Sequence, residues 1–232
     1  MTRAALLFDV DGTLADTLGA GKAALSAAMA AVYGETGPVD SYDFHGRTDP
    51  EIVRALLRAV GWSDVDVDDG LPALWPDYLA RLRGELDARA GRARPLAGVT
   101  ALLARLVPDE RFACGLVTGN LEQGARLKLE AVGCVEPFTF GAFGSDAEER
   151  DALPAVALAR AAERYGGRFS AERAVVIGDT PADIQCARAA GARVLAVATG
   201  RHDAVELAAH GPDAVFEDLR DADRVLEFFL DE

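Results

Sequence analysis

The chain has 232 residues, half of them apolar, which is enough for one large α/β domain or for a core with a small second domain. A net charge of −14 and a pI near 4.6 argue against non-specific binding to nucleic acid or to an anionic membrane, and no stretch approaches the ~20 apolar residues of a membrane span. Cys114, Cys134 and Cys186 are odd in number and lack a C-x-x-C spacing, so reduced thiols in a cytoplasmic protein are expected rather than a disulfide framework or a zinc site. The start, Met-Thr-Arg with a short apolar run, does not have the form of a signal peptide.

That apolar run, Ala4–Phe8, predicts a buried strand ending in Asp9-Val10-Asp11-Gly12-Thr13-Leu14. Side chains alternate along a strand, so Asp9 and Asp11 face one way. They do so past a strand's carboxyl end, where open α/β sheets bind ligands, and Gly12 lets the backbone come close. Two carboxylates that near each other repel unless a cation or a proton separates them.

From Asp16 to about Arg94 only helical periodicity appears. Leu18, Leu25, Met29 and Val32 mark a first helix, and Ile52, Val53, Leu56, Leu57 and Val60 a second. Leu71, Leu74, Tyr78, Leu79, Leu82 and Leu86 mark a third. Asp16 is expected to cap the first, and Trp62 and Trp75 to fill the core of this region. The second is announced by Thr48 and Glu51 as a capping box, or by Asp49 as the cap with Pro50 at the first helical position. The stretch reads as an all-helical cap, residues 16–94, inserted into a catalytic core of 1–15 plus 95–232. Its hinges are expected near Leu14–Asp16 and Arg92–Leu96. The loop His45-Gly46-Arg47 precedes the second helix and combines mobility with polarity; His45 alone reads as a structural or exposed histidine.

Further apolar runs follow at Phe112–Val117, Pro137–Phe143 (weaker and Gly-interrupted), Ala174–Ile177, Val194–Ala198 and Ala214–Phe216. Alternating with helices, they predict an α/β, Rossmann-like parallel sheet of about six strands. The second strand runs into Thr118-Gly119-Asn120. A hydroxyl and a glycine opening a helix suit phosphate binding, although Asn120 and Gln123 could equally cap that helix. The fourth runs into Gly178-Asp179-Thr180-Pro181-Ala182-Asp183. There Thr180 can cap, Pro181 can open the helix, and one turn brings Asp183 back over the loop.

In this order the motifs resemble those of the haloacid dehalogenase-like superfamily over nearly the whole chain. D-x-D-G-T-L is similar to the first motif, T-G-N to the second and G-D-x-x-x-D to the fourth. The resemblance implies Asp9 as nucleophile and Asp11 as general acid and base, its pKa raised by the neighbouring carboxylate and by cap closure. It implies phosphate contacts from Thr118, Gly119 and Asn120, with Gly12 and Thr13. It implies Mg²⁺ at Asp9, Asp11 through its carbonyl, and Asp179, with Asp183 bound directly or through water.

The third motif departs from the pattern, which usually supplies a lysine, less often an arginine, before the helix preceding the fourth motif. The two lysines of the chain look misplaced for this, Lys22 in the cap and Lys128 well inside the helix after the second motif, so the role falls to Arg150. The implied activity is a Mg²⁺-dependent phosphatase of the phosphoglycolate phosphatase-like kind. It would act on a small phosphorylated metabolite, with His45, Gly46 and Arg47 in the cap choosing the substrate. Asp11 argues against a dehalogenase, whose halide leaves without a proton. A β-phosphoglucomutase-like phosphomutase shares the core chemistry and is the alternative. A phosphonate hydrolase needs a cap lysine where Arg47 stands. A non-enzymatic phosphoacceptor or a silent binding protein on this fold is further away.

Overall fold

The computed structural model describes residues 3–231; Met1 and Thr2, where the expectation about a signal peptide begins, lie outside the described residues. Six parallel strands form the sheet: β1 (Ala4–Phe8), β4 (Phe112–Thr118), β5 (Gly141–Phe143), β6 (Ala174–Gly178), β7 (Arg193–Val197) and β8 (Ala214–Phe216). Their order is β5-β4-β1-β6-β7-β8. The chain leaves β1 toward β4 on one side and returns to β6 on the other, which makes the carboxyl end of β1 the topological switch point. Phe8 is level with Leu116 of β4 and Ile177 of β6, so the polar ends of the three strands open together.

Burial follows the pleat. Leu6 and Phe8 pack with α4 (Val99–Leu106), α5 (Glu122–Ala131) and α9 (Ala222–Leu230), whereas Ala5 and Leu7 pack with α6 (Leu153–Tyr165), α7 (Pro181–Ala190) and α8 (Ala204–Ala208). The runs are continuously apolar because both faces of a parallel sheet are covered. No helix among the described residues is long and apolar enough to cross a membrane.

Between β1 and α4 the chain builds α1 (Ala20–Tyr33), α2 (Asp49–Arg58) and α3 (Asp64–Asp87), which share their own apolar cluster of Leu25, Met29, Ile52, Leu56, Leu74, Tyr78 and Leu82. Trp62 and Trp75 pack against its edge. The chain enters and leaves this insertion through a short antiparallel ribbon, β2 (Ala15–Asp16) against β3 (Arg94–Pro95). Thr48 is the cap of α2, its hydroxyl accepting the Glu51 N–H, while the Glu51 side chain turns instead to Arg47.

Several local expectations are corrected. Leu18 is not on α1: it is exposed, with φ 53, because Asp16 Oδ1 accepts the Leu18 N–H in a turn and delays the helix until Ala20. Asp16 therefore shapes that turn, and Gly19 occupies the cap position of α1. Val60 lies past the end of α2, exposed in a turn closed on Leu57 O. The run Pro137–Phe143 yields only Gly141–Phe143 as strand, because Phe138 turns inward to meet Phe8 edge-on, with ring centroids 5.7 Å apart, instead of pairing along β4.

The insertion sits tightly on the core. The Asp49 N–H donates to Gly119 O at 2.7 Å, and the Thr48 hydroxyl donates to Glu148 O at 2.8 Å. Gly119 admits this approach because it has no side chain; a Cβ there would lie 2.0 Å from Arg47 O. Gly119→Ala should therefore push the 46–49 segment off the core and leave the sheet intact. Amide exchange is expected to quicken at Asp49 and Leu121 by about tenfold or more, while β1 and β6 stay protected. Unchanged exchange at Asp49 would show that this contact does not hold the insertion down.

Candidate active site

Asp9, at the end of β1, is buried, with its N–H donating to Ile177 O of β6 at 2.9 Å. Asp179 follows β6, and Asp183 lies in the first turn of α7. One carboxylate oxygen from each of Asp9, Asp179 and Asp183 lies within 4.8 Å of the others, and all three residues are buried. Thr180 and Asp183 form a full capping box, which fixes Asp183: its Oδ2 accepts the Thr180 N–H at 3.0 Å and the Thr180 hydroxyl at 2.7 Å. The Thr13 hydroxyl donates to Asp179 Oδ1 at 3.2 Å, and Asp179 Oδ2 is buried without a partner.

Arg150 stands in a short turn ahead of α6 and is buried among these acids. Its Nη2 donates to Asp9 Oδ1 at 3.0 Å and also to Asp183 Oδ1, while its buried Nε has no acceptor. Charge explains the protonation tendencies. Burial pushes the Asp9 carboxyl up to about 6 against the pull of Arg150, with Asp183 and Asp11 adding repulsion. Burial, then Asp183 and Asp9, push Asp179 well above the ordinary carboxylate range.

Asp11 faces the same cavity but contradicts an expectation. Burial acts to raise its carboxyl. The ammonium of Lys128 and hydrogen bonds from Lys128, Asn120 and Thr17 together outweigh that and hold it below the usual range. Lys128, far from being remote, is buried, with Nζ 2.5 Å from Asp11 Oδ2 and bonded also to Asn120 Oδ1. Side chains on a helix lean toward its N-terminus, so a long lysine stem on α5 reaches back to the strand end. Gly21 of α1 makes room, since a Cβ there would lie 3.0 Å from Lys128 Nζ.

Asn120 does not cap α5, whose cap position is Leu121. Its amide bridges instead, Nδ2 donating to Asp11 Oδ2 at 2.9 Å and to Thr118 Oγ1 at 2.8 Å. Thr118 in turn hydrogen-bonds Asp9.

The cavity above these groups measures about 670 Å³. His45, Gly46 and Arg47 line it from the insertion, with Gly12, Gly119 and Thr180 below. His45 is exposed and pairs with Asp43 at 2.6 Å; Arg47 is exposed and pairs with Glu51. Thr13 is buried beneath, against Asp179.

Asp49, Tyr78, Thr17 and Lys22 also line the cavity, and sequence reasoning missed all four as site residues. Asp49 Oδ2 accepts the Leu121 N–H at 2.8 Å. Burial pushes its carboxyl to about 6 despite Lys128 and hydrogen bonds from Leu121 and Tyr78. Asp49 had been legible only as a helix-capping acid, and Tyr78 only as core. Arg54 of α2 pairs with Glu148 at 3.0 Å, tying the insertion to the segment that carries Arg150.

An acid whose folded pKa is raised stabilises the fold below its unfolded value near 3.9 and loses that contribution as pH rises through the folded value. Asp9, at about 6, and Asp179, higher still, set the window. In EDTA the melting temperature should fall as pH rises from about 5 to about 7.5, and Mg²⁺ should raise it more at the upper pH. Melting curves indifferent to both pH and Mg²⁺ would separate the acid cluster from proton and ion binding alike.

The haloacid dehalogenase-like hydrolase family model matches residues 6–197. A phosphoglycolate phosphatase of Mesorhizobium japonicum is 31% identical over 215 residues, covering 88% of this chain and 86% of the relative. One of Rhodospirillum rubrum is 29% identical over 220 residues, covering 93% and 87%. Among solved structures, a hydrolase from Pseudomonas syringae superposes with a TM-score of 0.71 at 21% identity over the whole of both chains. With the acids gathered at the switch point of the sheet, these likenesses establish that the chain belongs to the haloacid dehalogenase-like hydrolases, as one of their phosphatases.

Proposed function

We propose that this phosphatase hydrolyses a small phosphorylated metabolite through an aspartyl-phosphate on Asp9, with phosphoglycolate, the substrate named for its relatives, the first to test. The observation that carries the reading is the clamp at Asp9. A buried carboxylate faces the cavity, held by Arg150, which is itself held by Asp183, with a second carboxyl two residues on. Phosphate monoesters resist hydrolysis because nucleophile and substrate are both anionic, so a fixed nucleophile and aimed cations account for much of the catalysis.

Asp9 attacks phosphorus, and the bond from phosphorus to the ester oxygen breaks as Asp11 gives that oxygen its proton. An incoming phosphate beside Asp11 offsets Lys128 and raises the proton affinity of Asp11 for this step. Asp11, again a carboxylate, then takes a proton from the water that attacks the aspartyl-phosphate, releasing phosphate and restoring Asp9. Arg150 and Thr118 hold the phosphoryl oxygens, and a guanidinium suits a phosphate held by two bonds. The buried Arg150 Nε, lacking an acceptor, fits such an anion. Asn120 and Lys128 keep Asp11 aligned.

The donor set fits Mg²⁺: hard carboxylate oxygens, one of them, Asp179 Oδ2, buried and unpartnered. Asp9 and Asp179 would hold the ion with the Asp11 carbonyl. Asp183 acts through Arg150 and Thr180, whose hydrogen bonds already occupy its oxygens. When bound, Mg²⁺ offsets the charge between carboxylates and phosphoryl oxygens. Cys114, Cys134 and Cys186, free and buried, suit a reducing cytoplasm.

Phosphate release from p-nitrophenyl phosphate and phosphoglycolate should require Mg²⁺ and stop with EDTA. Asp9→Asn should lower kcat by about 10³-fold or more. Retained turnover in Asp9→Asn would remove Asp9 as the nucleophile.

A further inference from the structure

Six cations line the active-site cavity: Lys22, Arg47, Arg94, Lys128, Arg150 and Arg201. Five face carboxylates: Arg47 with Glu51, Arg94 with Asp16 at 3.8 Å, Lys128 with Asp11 at 2.5 Å, Arg150 with Asp9 at 3.0 Å and Arg201 with Asp43 at 2.9 Å. Among the described residues no carboxylate pairs with Lys22. Its ammonium instead lies over the ring of Phe44, 5.0 Å from the centroid, and Phe44 lines the same cavity. An aromatic face positions an ammonium without neutralising it. Lys22 is thus the cation of the cavity wall whose charge is left for an incoming group.

The start of α1 is arranged to match. The other helices of the insertion open with acids, Asp49 and Glu51 in α2, Asp64 and Asp66 in α3. The first turn of α1 has no acid, its cap position is Gly19 with no side-chain bond, and Lys22 is its third residue. A cation there opposes the helix dipole, and uncapped N–H groups want an acceptor. An anion at this spot satisfies both, and Gly19, Gly21 and Lys22 all line the cavity. Both lysines of the chain flank this point, Lys128 through its ammonium beside Gly21.

Resting on the phosphatase reading above, we propose that Lys22 and the first turn of α1 bind a carboxylate elsewhere on the substrate. The enzyme would then select phosphate esters of short hydroxy acids over those of neutral alcohols. One monovalent ammonium matches one carboxylate. A second phosphate dianion would bring a further charge into a cavity already walled by Asp11, Asp16 and Asp49.

The test is the ratio of kcat/KM for phosphoglycolate to that for glycerol phosphate, in which any loss of folded enzyme cancels. Fructose 1,6-bisphosphate is run alongside as a substrate with a second phosphate. Lys22→Met should lower the ratio by about 10- to 100-fold, the range for a lost hydrogen bond to a charged group, chiefly through the KM for phosphoglycolate. Lys22→Arg should recover part of it. An unchanged ratio overturns the proposal, as does a loss confined to the bisphosphate. A wild-type enzyme that turns over glycerol phosphate as well as phosphoglycolate overturns the Lys22 assignment and leaves the phosphatase reading standing. One that hydrolyses no ester with Mg²⁺ fails the phosphatase reading, and the Lys22 assignment with it.

Discussion

Repulsion among carboxylates governs this molecule. Four acids converge past β1 and β6, in a chain that is already strongly acidic. Left alone, such a cluster would push its strands apart or take up protons. The fold answers with two buried cations on opposite sides, Arg150 between Asp9 and Asp183, and Lys128 against Asp11. Buried ion pairs contribute little net stability, because desolvation offsets the attraction, but they fix geometry closely. Here each cation assigns its neighbour a state. Asp11 is kept ionised against burial, and Asp9 rises less than burial alone would carry it. Two carboxylates two residues apart thereby acquire different proton affinities, in the order opposite to the roles proposed for them, and a phosphate beside Asp11 would reverse that order.

What could be read from the sequence was what local rules determine. A strand ending in Asp-x-Asp-Gly places both acids at a sheet end, and Thr180-Pro181 with Asp183 writes a helix cap whose geometry is nearly obligatory. The six strands and the helical insertion follow from apolar spacing. The contacts that were not legible depend on elements crossing in space. Lys128 sits at an unremarkable helical position, and only the packing of α5 against α3, with Gly21 of α1 beside the lysine, brings its ammonium to Asp11. The direction of the Asp11 shift was therefore misread, since the sequence displays the adjacent acids but not that cation. Asp49 and Tyr78 carry the same lesson: a capping residue and an apolar-stripe tyrosine become polar partners only when the insertion meets the core.

The meeting surface is made by absent side chains as much as by present ones. Gly119 and Gly46 let two backbones touch; a Cβ on Gly46 would fall 2.6 Å from the Cβ of Ala182. Close backbone packing leaves a space of about 670 Å³, lined on one side by α1 and the 44–47 loop and on the other by Asp9, Asp11 and Asp179. On the function proposed above, reaction falls to the strand ends and recognition to the insertion.

Glu148 joins those parts mechanically. Its carbonyl accepts from Thr48 and its carboxylate from Arg54, both on the insertion, and two residues later the same segment delivers Arg150 to Asp9. A lever that lifts the insertion would therefore pull on the short tether bearing the guanidinium. With Asp9 as the nucleophile proposed above, raising the insertion and loosening the clamp on that carboxylate would be one and the same movement.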